Sequence, residues 1–515
     1  MEGHLSASLN SSNSDVKSCI SRICGSLQPG SPALKNLFYI PEKSCYFNAS
    51  YGNVPTPVMH AQWNLQVACE TDPQSWMLGR VALKLRNVRQ RLAQYTGAET
   101  RDLVLVENCS SGVNAVLRSL VLKSGSTLIH LSTAYGVVKN CMAHVASVAG
   151  ARVVEVPVEF HGAGSAPCGE GGVPLQEAVA NTISRLQLSG ASVALACFDH
   201  IASCPGALMP VMELAATCKR LGVPVMLDGA HVLGQLPVNL KSLEAAGVQY
   251  WVSDAHKWLF APKGSAVLWV TRDSQDSVKP AALGAAVCSG ASTANFDPAA
   301  LAGLSDFEIR FQYTGTRDYT PMAAVAAALD FRESIGESAI IGYNHGMAVW
   351  AQRYLAELWG TECLLPDSST CAMAHVRLPG VRSRRAADAL SRLLRLKHGI
   401  HVMLFGLPDP RGGTAYWARP CFQVYVQHDD VVALGAAVLE EAPLASAAAA
   451  AWAWRRAALG GDGGPLLPVP AAAASEPLGI SAARAADPGA GAGHAGSPDS
   501  VLLSHMSGSP RFHSP

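Results

Sequence analysis

Three residues that can do covalent and acid–base chemistry, Asp228, His231 and Lys257, each follow a short apolar run of the chain. A lysine that leaves a buried strand is desolvated, which disfavours its ammonium form and makes its amine available to condense with a carbonyl. A lysine at a strand end is more often simply solvated, so the alternative of a plain surface lysine stays open.

The carboxylate of Asp228 would be costly to bury unless a cation lies beside it. A protonated pyridine nitrogen is one such partner, whereas a helix N-cap is the ordinary alternative for an aspartate in this position. His231 could reach a substituent of the same ring, although a lone histidine is more often a satisfied core residue. The three residues together, among glycine-rich turns, are less easily explained by chance than any one of them.

Two segments could bind an anion. Residues 108–116, NCSSGVNAV, follow a predicted strand and open a predicted helix, so backbone N–H groups and the hydroxyls of Ser110 and Ser111 would face a phosphate favourably. A serine N-cap explains the same residues, and the segment has too few glycines for a P-loop or a dinucleotide-binding turn. Residues 314–317, TGTR, offer a second hydroxyl and backbone donor.

Two further side chains could contact a planar ligand or a carboxylate. Tyr135 begins a predicted helix, where its ring could lie over a planar cofactor or belong to the core. Arg419 lies in the apolar run AYWARPCFQVYV and needs an anion, for which a substrate carboxylate and a structural Asp or Glu are equally suitable. Residues 45–59, CYFNASYGNVPTPVM, suit a loop that enters a site or an ordinary turn.

The elements that would position these residues alternate regularly. Apolar runs predict strands, and amphipathic runs of about ten to fifteen residues between them predict helices. The alternation is typical of an α/β fold with a mostly parallel sheet, in which polar groups at the carboxyl ends of the strands converge on one crevice. Predicted strands cover residues 103–106, 127–131, 152–158, 193–198, 223–227, 248–252 and 265–270, and predicted helices cover residues 76–96, 113–122, 134–148, 175–188 and 207–221.

Four segments are predicted along the chain. Residues 1–43 show no sustained period and predict a loose arm or a short helix, and residues 44–325 would form a large domain. Residues 326–442 predict a smaller α/β domain, with helices over 347–359, 386–397 and 430–439 and strands over 373–378, 402–404 and 417–426. Residues 443–515 are rich in Ala, Gly and Pro and predict a disordered tail.

Composition narrows the classes of function. The chain has 515 residues, 49% of them hydrophobic, and a formal net charge of zero, which argues against nucleic acid or a membrane surface as the main partner and favours a small-molecule site. The fourteen cysteines lack metal-site or secreted-framework spacing, and no stretch of about 18 uninterrupted apolar residues predicts a membrane span. We expect a cytoplasmic protein, with organelle targeting by the serine-rich start as the alternative.

This set of motifs resembles the class V aminotransferase family of fold-type I pyridoxal phosphate enzymes, and within it the isopenicillin N epimerase-like branch. The resemblance runs from about Tyr46 to Leu439 and rests on DGAH at 228–231, HKW at 256–258 and GTRD at 315–318, with YFNASYGNVP and STAYGVVKN in support. It implies a seven-stranded type of sheet in the large domain, pyridoxal 5'-phosphate as cofactor, an amino-acid substrate and a homodimer with shared active sites.

The resemblance also implies a role for each matched residue. Lys257 would form the Schiff base with the cofactor, and Asp228 would pair with the ring nitrogen. The other implied roles are contact with the phenolic oxygen for His231, stacking on the ring for Tyr135, phosphate binding for Ser110, Ser111, His256 and Thr316 of the partner subunit, substrate binding for Arg419 and Asn48, and contact with the phenolic oxygen or the substrate for Ser203 in DHIASCPG.

The chain departs from the family pattern at three places. Related desulfurases carry a serine three residues before the lysine, where this chain has Asp254, a poor neighbour for a dianion. They also carry a nucleophilic cysteine where this chain has HVMLFGLP, which disfavours a cysteine desulfurase. Pro420 and Cys421 follow Arg419 where relatives have small hydroxyl residues. We therefore expect C–S lyase or epimerase chemistry at the α-carbon of an amino acid, with an aminotransferase or a catalytically silent cofactor-binding protein as alternatives.

Overall fold

A seven-stranded sheet forms the centre of the computed structural model, which describes residues 13–162, 164–284, 296–409 and 412–458. The strand order is β2-β8-β7-β6-β5-β3-β4, and every neighbouring pair is parallel except the two that involve β8. The strands are β2 (Leu103–Val106), β3 (Thr127–Leu131), β4 (Arg152–Val156), β5 (Val193–Asp199), β6 (Val225–Asp228), β7 (Val248–Asp254) and β8 (Ala266–Val270).

Helices cover this sheet, so its strands are buried on both faces except at the edge strand β4, where Arg152 and Glu155 are exposed. Every residue of β2, β3, β6 and β8 is buried, as expected for a largely parallel sheet between helical layers. The α/β fold predicted from the alternating pattern is confirmed. The helices before and around this sheet are α1 (Asn13–Cys24), α2 (Pro32–Lys35), α3 (Thr56–Thr71), α4 (Pro73–Ser75), α5 (Val81–Thr96), α6 (Cys109–Leu117), α7 (Gly136–Ala149), α8 (Leu175–Leu188), α9 (Val211–Arg220), α10 (Leu240–Ala246), α11 (Ala255–Trp258), α12 (Pro298–Leu301), α13 (Asp306–Gln312), α14 (Thr320–Ala323) and α15 (Val325–Ile335).

Helix α6 begins earlier than the predicted start at residue 113. The side chain of Asn108 caps it, because its Oδ1 accepts a hydrogen bond from the N–H of Ser111 at 2.9 Å. Ser110 and Ser111 therefore lie in the first helical turn and not in a loop, and the cap is an asparagine in place of the expected serine.

A second, three-stranded antiparallel sheet follows, in the order β11-β12-β9. Strand β12 ends at Arg419 and does not continue to residue 426 as predicted, because Pro420 has no N–H with which to extend the ladder. The remaining elements are β9 (Val376–Arg377), β10 (Ile400–His401), β11 (Met403–Pro408), β12 (Thr414–Arg419), α16 (Glu337–Trp359), α17 (Arg384–His398) and α18 (His428–Ala458), and β10 pairs in parallel with β1 (Cys45–Tyr46).

The described parts of both chain ends are helical. Of the loose arm and the short helix predicted for residues 1–43, the structure has the helix α1, which packs on α15 and buries Ile20 and Cys24. The predicted tail is helical as far as Ala458, because alanine has the highest helix propensity and Ala445 finds a buried position. Residues 1–12 and 459–515 lie outside the described residues, and the division into domains 44–325 and 326–442 stays a prediction.

Helix α18 is long and apolar enough over residues 428–453 to cross a membrane by length and composition alone. Close to half of that window, 44%, is buried inside the protein, where α18 packs on α16 and α17. A core helix of a globular protein meets the same criteria, so length and composition do not decide between the two. The expected absence of a membrane partner stays a prediction.

Candidate active site

The carboxyl ends of β5, β6 and β7 bring four chemically active residues together. Asp199 and Asp228 end neighbouring strands and stand opposite each other in the ladder. Asp254 ends β7, and Lys257 follows it in the short helix α11. Because adjacent parallel strands end at one edge of the sheet, these side chains share the crevice that the sequence predicts.

Lys257 lies between a carboxylate and an imidazole. Its Nζ is 3.2 Å from Oδ2 of Asp254 and 3.4 Å from Nε2 of His231. Burial acts to lower the pKa of Lys257, but the charges of Asp254 and Asp228 and the hydrogen bond to Asp254 outweigh it and hold that pKa above its ordinary value. The sequence-based expectation that desolvation disfavours the ammonium form is therefore wrong for the free protein, because the neighbouring carboxylates stabilise the charge.

His231 is oriented by the indole of Trp258, whose Nε1 donates to Nδ1 of the imidazole at 3.1 Å. Burial, reinforced by the charge of Lys257, holds the pKa of His231 well below its usual range, so the ring is neutral. Since an indole N–H can only donate, Nδ1 accepts and the single ring proton is assigned to Nε2. His231 therefore presents an N–H donor to the crevice.

Asp228 has little compensation for its charge. Its Oδ1 accepts the N–H of Ala230 at 3.0 Å, and burial raises its pKa against the opposing effect of Lys257. Among the residues that the structure describes, Asp228 forms no ion pair within 4.0 Å. It does not cap a helix either, since the next helix, α10, begins at Leu240. A cationic group from a ligand would satisfy this carboxylate.

Asp199 was not singled out from the sequence, although it belongs to the DHIASCPG segment. Its Oδ2 accepts a hydrogen bond from Oγ1 of Thr133 at 2.7 Å. Burial and the neighbouring charge of Asp228 raise the pKa of Asp199 to about 7. Only the register of β5 against β6 shows the pairing of the two carboxyl groups, and the sequence does not contain that register.

The N-terminus of α6 forms the side of the crevice where a phosphate is predicted. Ser110 and Ser111 lie in its first turn, and the N–H of Cys109 already donates to Oδ1 of Asp254 at 2.8 Å. Close by, Nδ1 of His256 is 3.2 Å from the carbonyl oxygen of Ser265, and burial lowers the pKa of His256. Ser110, Ser111 and His256 are thus placed around Asp254, and their role in phosphate binding stays a prediction.

The loop that carries Asn48 does enter the site. Gly52 lies so close to the carbonyl oxygen of His256 that a Cβ there would approach it to 1.8 Å, and its φ of +62° also favours glycine. Oδ1 of Asn48 accepts the N–H of Ser50 at 2.9 Å. Ser50, which was not predicted, makes the contact with Arg419, and substrate binding by Asn48 stays a prediction.

Arg419 is a fully buried guanidinium with neutral partners. Its Nη1 donates to the carbonyl oxygen of Ser203, its Nη2 donates to Oγ of Ser50 at 3.0 Å, and its Nε has no hydrogen-bond partner. No carboxylate lies within 4.0 Å of it among the described residues. Ser50 belongs to the loop whose Gly52 packs against the carbonyl oxygens of His256 and Lys257, so this loop links Arg419 to Lys257. Ser203 contributes a carbonyl here, and a role for its hydroxyl stays a prediction.

Two residues predicted for the site, Tyr135 and Thr316, form no hydrogen bond with the residues around Lys257 in the described chain. Tyr135 stands before α7 with 52% of its surface exposed, and the hydroxyl of Thr316 bonds to the hydroxyl of Tyr313 at 2.7 Å on an exposed loop. Stacking by Tyr135 and a contribution of Thr316 to a partner subunit remain predictions.

The donor set fits pyridoxal phosphate. An amine able to bond an aldehyde, a buried carboxylate short of a cation, an N–H donor on His231 and a helix N-terminus lie in one crevice. Lys257 would hold the aldehyde carbon, Asp228 the ring nitrogen, His231 a ring oxygen and the first turn of α6 the phosphate. Asp254 is the one group whose charge opposes the phosphate.

Known proteins share both the sequence pattern and the fold. An L-cysteine desulfhydrase-like protein of Epichloe uncinata is 27% identical over 438 residues, covering 78% of this chain and 93% of the relative. The isopenicillin N epimerase of Streptomyces clavuligerus is 25% identical over 341 residues, covering 64% of this chain and 79% of the relative. The cystine C–S lyase C-DES, solved with its product cysteine persulfide, has a TM-score of 0.63 at 21% identity, covering 76% of this chain and 96% of that structure, and supports the fold.

Residues 47–434 match the family model of the class V aminotransferases. The match spans most of the chain and contains all the residues of the crevice described above. It confirms the resemblance drawn from DGAH, HKW and GTRD. The chain therefore belongs to the class V aminotransferase family, whose members are pyridoxal-phosphate-dependent enzymes of fold-type I.

Proposed function

We propose that this protein is a pyridoxal-phosphate-dependent C–S lyase that removes sulfur from cysteine or an S-substituted cysteine. The observation that carries the proposal is Arg419, a fully buried cation without a carboxylate partner in the described chain, which contacts the loop that packs on His256 and Lys257. An α-carboxylate is the natural bidentate partner of such a guanidinium. The names of the desulfhydrase-like relatives support cysteine as the amino acid.

The side chains of the crevice divide the chemical work. Arg419 would hold the substrate carboxylate, and the adjoining loop with Ser50 would close over it. Asp228 would keep the ring nitrogen protonated, and His231 would donate its Nε2 proton to a ring oxygen. The bound cofactor supplies an electron sink for the α-carbon of the amino acid attached to it.

Lys257 would act as the general base. Its Nζ, once neutral, would take the proton from the α-carbon and could return a proton to the departing sulfur. With cysteine as substrate, loss of sulfide and addition of water give pyruvate and ammonia, so cysteine and one water balance the three products. No nucleophilic thiol is needed for this reaction, in accord with the lack of a cysteine in HVMLFGLP.

Epimerisation at the α-carbon is the second candidate, because isopenicillin N epimerases also match over much of the chain. The same residues would bind the substrate and remove the proton. The two reactions differ in whether the β-substituent leaves or a proton returns to the opposite face.

We propose in addition a homodimer with shared active sites in the cytoplasm. Tyr51, Met59 and Trp63 expose large apolar side chains on the loop that enters the site and on the adjoining helix α3, a pattern that suits burial against a second copy. The described cysteines are all free thiols, which suits a reducing compartment. Light scattering of the holoenzyme would test the dimer, and a molecular mass of one chain would contradict it.

A substrate panel tests the proposed reaction. The protein is incubated with pyridoxal phosphate and L-cysteine, L-cystine, S-substituted cysteines or L-serine in deuterated water, and pyruvate, ammonia, sulfide and α-deuterium are measured. We expect pyruvate and ammonia from the sulfur amino acids and none from Lys257→Ala. Deuterium exchange with inversion but without pyruvate would select the epimerase, and transfer of the amino group to a keto acid would select the aminotransferase. No reaction of any kind would favour a silent cofactor-binding protein.

A further inference from the structure

Asp254 occupies an unusual place for a carboxylate in a site that has to receive a phosphate. It is 4% exposed at the end of β7, directly beneath the N-terminus of α6. Its Oδ1 accepts the N–H of Cys109 at 2.8 Å, and its Oδ2 lies 3.2 Å from Nζ of Lys257. The carboxylate thus already uses one of the donors that the first turn of α6 would offer to a phosphate.

The charges around Asp254 do not neutralise a second anion. Among the residues that the structure describes, the titratable groups that interact with it are Cys109 from α6, Asp228 from β6, and His256 and Lys257 from α11. Burial raises the pKa of Cys109 and lowers that of His256, so both are neutral at pH 7. Two carboxylates therefore face one ammonium group before any cofactor enters.

We propose that Asp254 makes the binding of pyridoxal phosphate proton-linked, so that the site takes up about one proton with the phosphate and holds the cofactor more weakly as the pH rises. This inference rests on the proposed function, because it requires that the cofactor binds in this crevice. A phosphate monoester has a second pKa of about 6 and is close to a dianion at neutral pH. A fixed carboxylate nearby disfavours the second charge, so a proton has to be retained on the phosphate.

The sign of the pH dependence follows from this proton. At the phosphate, the complex holds a proton that the free cofactor loses, so raising the pH favours dissociation. The proton on the amine of Lys257 is a separate contribution, which pyridoxal and pyridoxal phosphate share. Above the second pKa of the phosphate, the affinity should fall by up to about tenfold for each pH unit. A neutral side chain at position 254 would remove most of this dependence.

Asp254→Asn is the direct test, because asparagine keeps the shape and an oxygen acceptor for the N–H of Cys109 while it removes the charge. Equilibrium dialysis of the full-length protein gives the Kd for pyridoxal phosphate from pH 6 to 9. We expect the variant to bind at least about tenfold more tightly than the wild type at pH 8, with a flatter dependence on pH. Asp254→Ser, whose hydroxyl can also accept that N–H, serves if the asparagine variant folds poorly.

Two controls isolate the phosphate. Pyridoxal forms the same bond with Lys257 but lacks the phosphate, so its Kd should show a much smaller gain in the variant than that of pyridoxal phosphate. This separates the proposed effect from any change in the pKa of Lys257. Asp102→Asn removes another buried carboxylate, one paired with Arg272 and Gln275 away from the crevice, and should leave both affinities unchanged.

The outcomes are distinct. If the wild type and Asp254→Asn share one pH dependence for pyridoxal phosphate, or if pyridoxal gains as much affinity as pyridoxal phosphate, the proton linkage is wrong. Weaker binding of pyridoxal phosphate by both Asp254→Asn and Asp254→Ser would show that Asp254 supports the phosphate site, which also overturns the proposal. If the wild type takes up no pyridoxal phosphate at any pH, the proposed function itself fails, and the role of Asp254 fails with it.

Discussion

Arg332 and Arg419 are both almost completely buried, at 1% and 0% exposure, but they have opposite surroundings. Arg332 donates from Nε and Nη2 to the carboxylate of Glu337 at 2.7 and 2.6 Å, and its remaining donors reach the carbonyl oxygens of Trp258 and Gly234. Arg419 donates to the carbonyl oxygen of Ser203 and to the hydroxyl of Ser50, and its Nε has no hydrogen-bond partner.

The difference separates a structural arginine from a binding one. Arg332 finds its anion within the chain and clamps the turn after Lys257 to the turn at Gly234, so it fixes the position of α11. Arg419 has no such anion among the described residues, and a buried cation in that state favours an incoming carboxylate. The same residue type thus stabilises the fold in one place and is held ready for a substrate in the other.

The largest expected effect concerns stability. Arg332→Met should lower the free energy of unfolding by about 2–4 kcal/mol, because it leaves the carbonyl oxygens of Trp258 and Gly234 without their donor and Glu337 with the hydroxyl of Tyr95 but no cation. Arg419→Met should change it by less than about 1 kcal/mol, because removing an uncompensated buried charge offsets the lost hydrogen bonds. Urea denaturation of the two variants measures both values. A larger loss for Arg419→Met than for Arg332→Met would break the distinction.

The next effect concerns turnover. Arg419→Met should reduce kcat/KM for the sulfur amino acid by about 10²- to 10³-fold, since the substrate carboxylate loses its buried partner. The absorbance and the affinity of the bound cofactor should remain those of the wild type. Arg377→Met is a matched control, because Arg377 lies on the neighbouring strand β9 and pairs with Glu362 and Asp409. Equal losses of kcat/KM in the two variants would argue against substrate binding by Arg419.

A smaller effect of pH comes from His375, which is buried and whose Nε2 accepts the N–H of Gly206 at 2.8 Å. Burial, with a further contribution from the charge of Arg419, lowers the pKa of His375 to about 3. Between pH 6.5 and 3 the unfolded chain binds the proton and the folded protein does not, so this histidine makes stability fall as the pH falls.

At pH 5 the contribution amounts to about 2 kcal/mol relative to pH 7. Glutamine does not titrate, so between pH 7 and pH 5 the free energy of unfolding of His375→Gln should fall by about 2 kcal/mol less than that of the wild type. Urea denaturation at the two pH values measures both changes. Both proteins contain the other titrating groups, including Asp199, so the effect of those groups cancels when the two changes are compared. Identical drops would show that His375 is not held neutral beside Arg419.

Much of the fold and several residues of the candidate site can be predicted from the sequence, but the partners of the buried charges cannot. The apolar runs place the ends of β2, β3 and α8 at the observed residues, and the DGAH and HKW motifs place Asp228, His231 and Lys257 at strand ends. Arg332 has the acidic residues Asp330, Glu333 and Glu337 nearby in the sequence, and the run around Arg419 has none, but only the structure shows that Glu337 is the partner of Arg332.

What the sequence misses depends on contacts between distant segments. Asp199 lies opposite Asp228 because of the register of two strands, and Ser50 contacts Arg419 although 369 positions separate them in the sequence. The raised pKa of Lys257 also requires the position of Asp254, because from burial alone we expected the opposite direction. Local patterns predict which residues face the crevice, and only tertiary structure gives their charge balance.

The most direct measurement of the central claim is the site of attachment of the cofactor. The holoenzyme is reduced with borohydride and digested, and the peptide that carries the pyridoxyl group is identified by mass spectrometry. We predict that the group is on Lys257 and that Lys257→Ala carries none. Lys263 is the internal control, because it is an accessible lysine close to the site, with its Nζ donating to the carbonyl of Gly52 at 2.9 Å. A label on Lys263, or a holoenzyme without a reducible bond to Lys257, would contradict the proposed site.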